Sequence, residues 1–238
     1  MLELTDHAHA SFLTLTYNDD HLPPNALLDY SDFQKFIKRV RKDYPIRYFA
    51  CGEYGERNTR PHYHAILYGF PPGYPGSPQH DYILSKWSSK KGPMGRVDLG
   101  SVTPHSIQYV CSYISKKRAK MDGPYCWIEK EKSLQSLRPT IGKPALLKIK
   151  AKLDAMSISD RRSIIGHDIE TDLVSLRVNN KLWPLDRYAK QILVPDDDVQ
   201  TITGSTDYAD TVLTEDSIIL DRRDVRIAKR RLDEKAKL

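Results

Sequence analysis

The sequence predicts an α+β fold in which helices pack on an antiparallel sheet. Segments with strand-like and helix-like spacing of apolar residues follow one another in the order strand, helix, strand, strand, helix, strand, helix. Two of the strands, Ile46–Glu53 and Arg60–Phe70, flank the turn-rich segment Tyr54–Pro61, an arrangement typical of an antiparallel hairpin. These patterns identify four clear strands.

The first strand and the first helix are predicted from the spacing of their apolar residues. Phe12–Tyr17 alternates as a half-buried strand does. Ser31 and Gln34 form a capping-box pattern that starts a helix extending to about Tyr44. Its buried stripe is predicted to consist of Phe33, Phe36, Ile37 and Val40. Its remaining surface is basic, and fits either a solvated face or a contact with a DNA backbone; these residues are Lys35, Lys38, Arg39, Arg41 and Lys42.

Two histidines lie two residues apart on the second strand of the predicted hairpin. Because side chains alternate between the faces of a strand, His62 and His64 share one face, and Tyr63 and Ala65 point to the core. An isolated pair of this kind is more often a polar, solvated face than a metal site. Two imidazoles on one strand face are nevertheless suitable metal ligands.

A carboxylate on the neighbouring strand makes the metal interpretation stronger. The hairpin brings Glu53 opposite the histidines, whereas Glu56, the competing carboxylate, lies in the loop. We therefore prefer Glu53. One carboxylate and two neutral imidazoles, with positions left for water and substrate, suit a divalent ion such as Mg²⁺ or Mn²⁺.

A second motif lies on the helix predicted for Thr103–Lys117. A Thr-Pro pair starts the helix, as N-cap and first helical residue. Tyr109 and Tyr113 are four residues apart and therefore lie on one helix face, followed by Lys116 and Lys117. Taken alone, such tyrosines are more often ordinary core or boundary residues. Before this helix, the pattern predicts a short helix at Asp81–Ser88 and a strand at Arg96–Val102.

The histidine pair, the upstream glutamate and the Y-x3-Y-x2-K-K helix together resemble the HUH endonucleases, which start rolling-circle replication. Within that superfamily the sequence is most similar to the replication initiators of gokushovirus-like microviruses, which are single-stranded-DNA bacteriophages. Members usually carry more chain before the first motif, so an N-terminal element is expected to be missing. The segments that carry the resemblance are FLTLTYNDDHLP (12–23), DFQKFIKRVRK (32–42), CGEYGERNTRPHYHAILYGF (51–70), YVCSYISKK (109–117) and SLQSLRPTIG (133–142).

The resemblance implies a five-stranded antiparallel sheet and metal-dependent nicking of a single-stranded DNA origin. It implies that Tyr109 and Tyr113 are nucleophiles that form 5′-phosphotyrosine links, with Lys116 and Lys117 stabilising the phenolate or the leaving group. The expected partners are a host helicase and polymerase in the bacterial cytoplasm, since a G-x-x-x-x-G-K-[ST] phosphate loop is absent from the sequence. Two alternatives stay open: a DNA-binding protein without cleavage activity, and a metal-dependent phosphoesterase in which water attacks.

The charge distribution supports a division into three parts. The chain has a net charge of +6, which suits a polyanionic partner. Residues 1–120, the predicted HUH endonuclease domain, carry 16 lysines and arginines against 11 aspartates and glutamates. Residues 121–195, a predicted C-terminal extension, carry 13 against 9, and residues 196–238, a predicted linker and exposed helix, carry 8 against 11. The last part is therefore not expected to be the main DNA-binding surface.

The extension and the tail are predicted to be smaller helical and hairpin elements. Leu146–Met156 has helical spacing, and Val174–Trp183, with Asn179 and Asn180 at its centre, is typical of a hairpin. Asp196–Asp210 is predicted to be a linker and Glu215–Lys237 a long helix. The three cysteines lack C-x-x-C spacing, and we expect no zinc site, no membrane segment and no small-molecule cofactor.

Overall fold

The computed structural model describes residues 1–55, 59–116, 131–168, 173–178, 181–194 and 204–205. Within these ranges the side chains of residues 112–116, 168, 173, 178, 181 and 204–205 are not described. The chain forms two compact units, Glu3–Ile141 with Met1, and Gly142–Leu238 with Leu2. No helix in the described part of the chain is long and apolar enough to cross a membrane.

The first unit is built on a five-stranded antiparallel sheet with the strand order β6-β1-β3-β2-β7. This confirms the predicted α+β fold. The strands are β1 (Ala10–Thr16), β2 (Arg47–Tyr54), β3 (Pro61–Tyr68), β4 (Ser88–Ser89), β5 (Gly92–Pro93), β6 (Val97–Ser101) and β7 (Ser133–Gln135), of which β4 and β5 form a separate two-stranded ribbon. The helices are α1 (Tyr30–Val40), α2 (Pro78–Lys86) and α3 (Pro104–Lys116), with short 3-10 turns at Leu2–Asp6, Asp19–His21 and Pro24–Ala26.

The two faces of this sheet carry different clusters of buried residues. On one face α1 and α2 pack on a large aromatic and aliphatic core, which includes Phe33, Phe36, Tyr63 and Trp87. On the other face α3 packs on a smaller cluster around Val110, and this is the face of the two histidines. One face of the sheet therefore carries most of the hydrophobic core, which leaves the other free to carry polar groups.

Helix α1 confirms the predicted buried stripe but differs from the prediction at both ends. Its N-cap is Asp29, whose Oδ1 accepts a hydrogen bond from the backbone N–H of Ser31 at 2.9 Å. Ser31 itself is the second residue of the helix, so the capping-box interpretation was wrong. The helix ends at Val40, four residues before the predicted end at Tyr44, which directly precedes Pro45. A residue before proline is disfavoured in the helical region, and this favours an earlier end.

The fifth strand of the sheet, β7, lies beyond the predicted domain boundary at residue 120. Leu134 lies opposite Ala50 of β2, so the sequence from 133 completes the sheet of the first unit. Because β7 has only three residues, its sequence does not show the alternation that identifies a strand. The first unit consequently extends to Ile141.

The second unit combines helices with a small sheet. The predicted helix at 146–156 is confirmed as α4 (Lys143–Asp154), and the predicted hairpin is confirmed by the antiparallel pair β9 and β10. Gly204–Ser205 pairs in parallel with Gly166 and His167, so this part of the predicted linker is a strand. The helix predicted for 215–237 lies outside the described residues. The remaining elements are α5 (Ile158–Ile164), β8 (Ile165–Asp168), β9 (Leu173–Val178), β10 (Lys181–Pro184), α6 (Arg187–Leu193) and β11 (Gly204–Ser205).

Candidate metal centre beside helix α3

The register of the sheet brings the three predicted metal ligands to one place. Glu53 of β2 lies directly opposite His62 of β3, and His64 follows two residues later on the same face. Directly opposite residues of an antiparallel pair point to the same face, so the carboxylate and both imidazoles share the face covered by α3. The donor atoms of these three residues all lie within 4.8 Å of one another. Glu56, the alternative ligand, lies outside the described residues.

Each imidazole faces the carboxylate with its Nε2 atom. His62 Nε2 lies 2.8 Å from Glu53 Oε1, and His64 Nε2 lies 3.7 Å from Glu53 Oε2. The opposite ring nitrogens are held by other groups: His62 Nδ1 lies 3.1 Å from the carbonyl oxygen of Arg60, and His64 Nδ1 lies 2.9 Å from the Thr14 hydroxyl. A carbonyl only accepts hydrogen bonds, so His62 carries a proton on Nδ1. Its Nε2 then faces the carboxylate either with a second proton or with a lone pair that requires a cation.

The state of Glu53 also favours a cation. Burial acts to raise the pKa of Glu53, but the hydrogen bonds from His62 and His64 outweigh it and lower the pKa to about 2. The carboxylate is therefore ionised at neutral pH, although only 4% of the residue is exposed. Its Oε2 atom is buried and makes no hydrogen bond with any described residue. A buried, ionised oxygen facing two imidazoles fits a divalent ion, so the residues present suit Mg²⁺ or Mn²⁺.

Two aromatic side chains enclose His64 and connect it to α3. The Phe12 ring stacks on the His64 ring with 5.8 Å between centroids, and the Tyr109 ring meets His64 edge-on at 5.1 Å. Tyr109 also contacts Phe12, with 6.3 Å between the ring centroids. The structure thus brings one predicted nucleophile to the predicted metal ligands.

The start of α3 agrees with the prediction. The Thr103 hydroxyl accepts a hydrogen bond from the backbone N–H of Ser106 at 3.0 Å, and the Ser106 hydroxyl accepts one from the N–H of Thr103 at 2.8 Å. Tyr113 and Lys116 lie on α3, but their side chains are not described. Lys117 lies outside the described residues. The roles assigned to these three residues stay predictions.

Sequence reasoning missed the residues that support the ligands. Thr14 lies 50 residues from His64 along the chain, and only the pairing of β1 with β3 makes them neighbours. Its position in the alternating strand places it on the face of Phe12, and that was the available signal. Cys51 also lies opposite His64, and burial raises the pKa of its thiol to about 12.

Comparison with known proteins gives a consistent match over the first unit. Residues 10–118 match the family model described as replication-associated protein ORF2. Replication-associated protein VP4 of Bdellovibrio phage phiMH2K is 34% identical over 123 residues, which is 45% of this chain and 39% of that protein. Replication-associated protein ORF4 of Chlamydia phage 1 is 34% identical over 49% of this chain and 33% of that protein. For replication-associated protein ORF2 of Spiroplasma virus 4 the values are 33%, 48% and 40%.

The match therefore spans well under half the length of these relatives. No solved structure is significantly similar to the chain. The matched segment contains β1 to β3, the three candidate metal ligands and the whole of α3. By residues 10–118, the chain belongs to the ORF2 family of replication-associated proteins, and its predicted resemblance to the replication initiators of microviruses is confirmed.

Proposed function

We propose that the chain is a viral replication initiator that nicks single-stranded origin DNA through tyrosine attack on a phosphodiester. The observation that carries this proposal is the contact between Tyr109 and His64, at 5.1 Å between ring centroids, beside the carboxylate–imidazole group of Glu53. A tyrosine against a candidate metal ligand is the arrangement that such a reaction requires. Membership of a family of replication-associated proteins supports the same assignment.

Glu53, His62 and His64 would hold the divalent ion, Mg²⁺ or Mn²⁺. When bound, the ion would supply electrophilic stabilisation of the negative charge on the phosphodiester. Thr14 and the carbonyl of Arg60 keep the two imidazoles turned with Nε2 toward Glu53. Supporting contacts of this kind orient metal ligands and determine which ring nitrogen is available.

The tyrosines of α3 would supply the nucleophile. The phenolic oxygen forms a bond to phosphorus, the bond between phosphorus and the 3′ oxygen breaks, and the proton lost by tyrosine is balanced by the proton gained at the 3′ oxygen. A tyrosine with an ordinary pKa of about 10 is only ~0.1% ionised at neutral pH. Lys116 or Lys117 would favour the phenolate or stabilise the leaving oxygen. The products are a 5′-phosphotyrosine link and a free 3′-hydroxyl.

Two nucleophiles would allow successive rounds of transfer. One of Tyr109 and Tyr113 would hold the first DNA end while the other attacks the next junction, and reversal of the same step would rejoin the strand. The free 3′-hydroxyl would prime a host polymerase. A host helicase would separate the strands in the cytoplasm of the bacterial host.

Denaturing gel electrophoresis tests this proposal directly. The chain is incubated with end-labelled single-stranded origin DNA and Mn²⁺, and the products are separated after denaturation. A covalent protein–DNA band that is absent in EDTA is the expected result. Cleaved DNA without a covalent band would mean that water is the nucleophile, and binding without cleavage would mean a DNA-binding protein. Either result would contradict the proposal.

A further inference from the structure

A short β-ribbon at the end of β1 presents two basic side chains that have no role in the chemistry above. β4 (Ser88–Ser89) pairs with β5 (Gly92–Pro93), and Lys90 and Lys91 form the tip between them. Both lysines are exposed, and neither forms an ion pair with another described residue. An exposed lysine pair at a turn is by itself only a solvated tip. The base of the ribbon and its position distinguish this one.

The base of the ribbon is fixed to the end of β1. The backbone N–H of Asn18 donates a hydrogen bond to the carbonyl of Met94 at 2.8 Å, and the fully buried Trp87 donates from Nε1 to the carbonyl of Thr16 at 2.8 Å. At Gly95 the two backbones approach so closely that a Cβ atom would lie 2.1 Å from the Thr16 oxygen. Only glycine permits that approach, so the base of the ribbon is held against β1.

This base lies close to the candidate metal centre. Thr16 pairs directly with His62, and Asn18 follows two residues later. With a strand spacing of about 4.8 Å and a rise of about 3.3 Å per residue, the Cα atoms of Asn18 and His62 are roughly 8 Å apart. Successive nucleotides of a B-form strand rise by about 3.4 Å. A DNA strand with a phosphate at the metal centre would therefore pass the ribbon within a few nucleotides.

Arg96 connects the ribbon with the face of the histidines. Its Nη2 and Nε atoms donate to one oxygen of Asp98, at 2.9 and 3.2 Å. Asp98 lies opposite Thr14, whose hydroxyl contacts His64, so all of these side chains share one face of the sheet. The Arg96 side chain is 77% exposed, and Asp98 occupies two of its five N–H donors. Arg96 is therefore oriented and still able to bind an anion.

We propose that Lys90, Lys91 and Arg96 form a basic rim that binds the sugar–phosphate backbone of the DNA strand beside the metal centre. This inference rests on the proposed function, because the ligand is the strand that is cleaved there. Contacts to phosphates fix the position of a strand without reading its bases. The rim would thus hold the strand in register while a tyrosine attacks.

The first experiment measures binding and does not depend on cleavage. The wild type and a Lys90→Gln/Lys91→Gln variant are titrated against fluorescein-labelled oligo(dT) in EDTA over a range of salt concentrations. We expect roughly tenfold weaker binding of the variant at low salt, since two exposed charge contacts are lost. The slope of log K against log salt should fall by about 1.4, since each single-strand phosphate contact contributes about 0.7.

A matched control removes the same charge from the opposite side of the sheet. Lys38→Gln/Lys42→Gln changes two exposed lysines at the end of α1, which packs on the face away from the histidines. This control should bind like the wild type. Equal slopes for the wild type and the ribbon variant, or an equal loss in the control, would overturn the proposal.

The second experiment locates the contact. Origin oligonucleotides with one neutral methylphosphonate at successive positions are nicked by the wild type and by the ribbon variant. In the wild type, KM should rise severalfold when the neutral linkage lies a few nucleotides from the nick, and in the variant this sensitivity should disappear. Sensitivity that is the same in both proteins at every position would refute the rim. If the wild type forms no covalent adduct at all, the proposed function fails, and the salt titration still tests the rim by itself.

Discussion

Replacement of Glu53 by glutamine is expected to remove metal binding while it keeps the shape of the site. Glutamine has nearly the same volume, but its neutral amide does not supply the negative charge that a divalent ion needs. The carboxylate is the anionic member of the group, 2.8 Å from His62 Nε2 and 3.7 Å from His64 Nε2. Two neutral imidazoles alone are a poor site for Mg²⁺ or Mn²⁺, which prefer oxygen ligands.

The size of the effect follows from linkage between binding and folding. An ion present at 100 times its Kd adds about 2.7 kcal/mol to the free energy of unfolding. For a unit of this length, that addition raises Tm by roughly 5–10 °C. In the Glu53→Gln variant the rise should be at most about 1 °C, because the ion would no longer prefer the folded state.

Thermal unfolding in MnCl₂ and in EDTA measures this difference. Intrinsic fluorescence is a suitable signal, since Trp87 is fully buried in the first unit. Asp154→Asn is a matched control, because it removes one carboxylate from an exposed position on α4. The control should keep the full Mn²⁺ shift. A full shift in Glu53→Gln, together with an undiminished covalent adduct, would show that the ion is bound elsewhere and would refute the assignment.

Three further predictions concern the nucleophiles, the supporting hydroxyl and the buried thiol. Tyr109→Phe/Tyr113→Phe should form no covalent adduct on a denaturing gel while it still binds single-stranded DNA, and DNA found attached to another residue by peptide mapping would exclude these nucleophiles. Thr14→Val removes the 2.9 Å contact with His64 Nδ1 at nearly constant volume, so metal affinity measured by titration calorimetry should fall about tenfold or more; unchanged affinity would mean that Thr14 does not orient the ligand. Burial raises the pKa of Cys51 from 9.0 to about 12, so the folded state holds its proton more tightly, and stability should be constant below pH 9 and fall as pH rises from 9 toward 12. Cys51→Ala should remove that part of the decline in urea unfolding, and an identical decline in both proteins would contradict this cause.

The parts of the structure that were predictable are those determined by local spacing. Strand alternation was sufficient to place His62 and His64 on one face, and a turn-rich loop between two strands was sufficient to place Glu53 opposite them. The buried stripe of α1 was predictable for the same reason, since its period of 3.6 is a property of neighbouring residues.

The parts that were not predictable depend on contacts between distant segments. Thr14 orients His64 only because β1 pairs with β3, and a pattern within either strand does not contain that register. Strand β7 has three residues, too few to show alternation, and it depends on its pairing with β2. The ribbon at 88–93 is equally short, and close approach of backbones at Gly95 holds its base.

The packing of α3 determines how two tyrosines could use one metal centre. Tyr109 and Tyr113 are one helical turn apart, so the exchange of one for the other requires a shift of about 5.4 Å in the helix or in the DNA. Val110 of α3 is fully buried in the cluster that includes Ile66 and Tyr68. A one-turn shift of the helix would expose Val110, at a cost of about 1.5–3 kcal/mol, and would also break the contact between Tyr109 and His64. DNA bound through exposed phosphate contacts has no comparable buried anchor. Under the proposed mechanism, α3 therefore stays in place, and the phosphate moves from one tyrosine to the other.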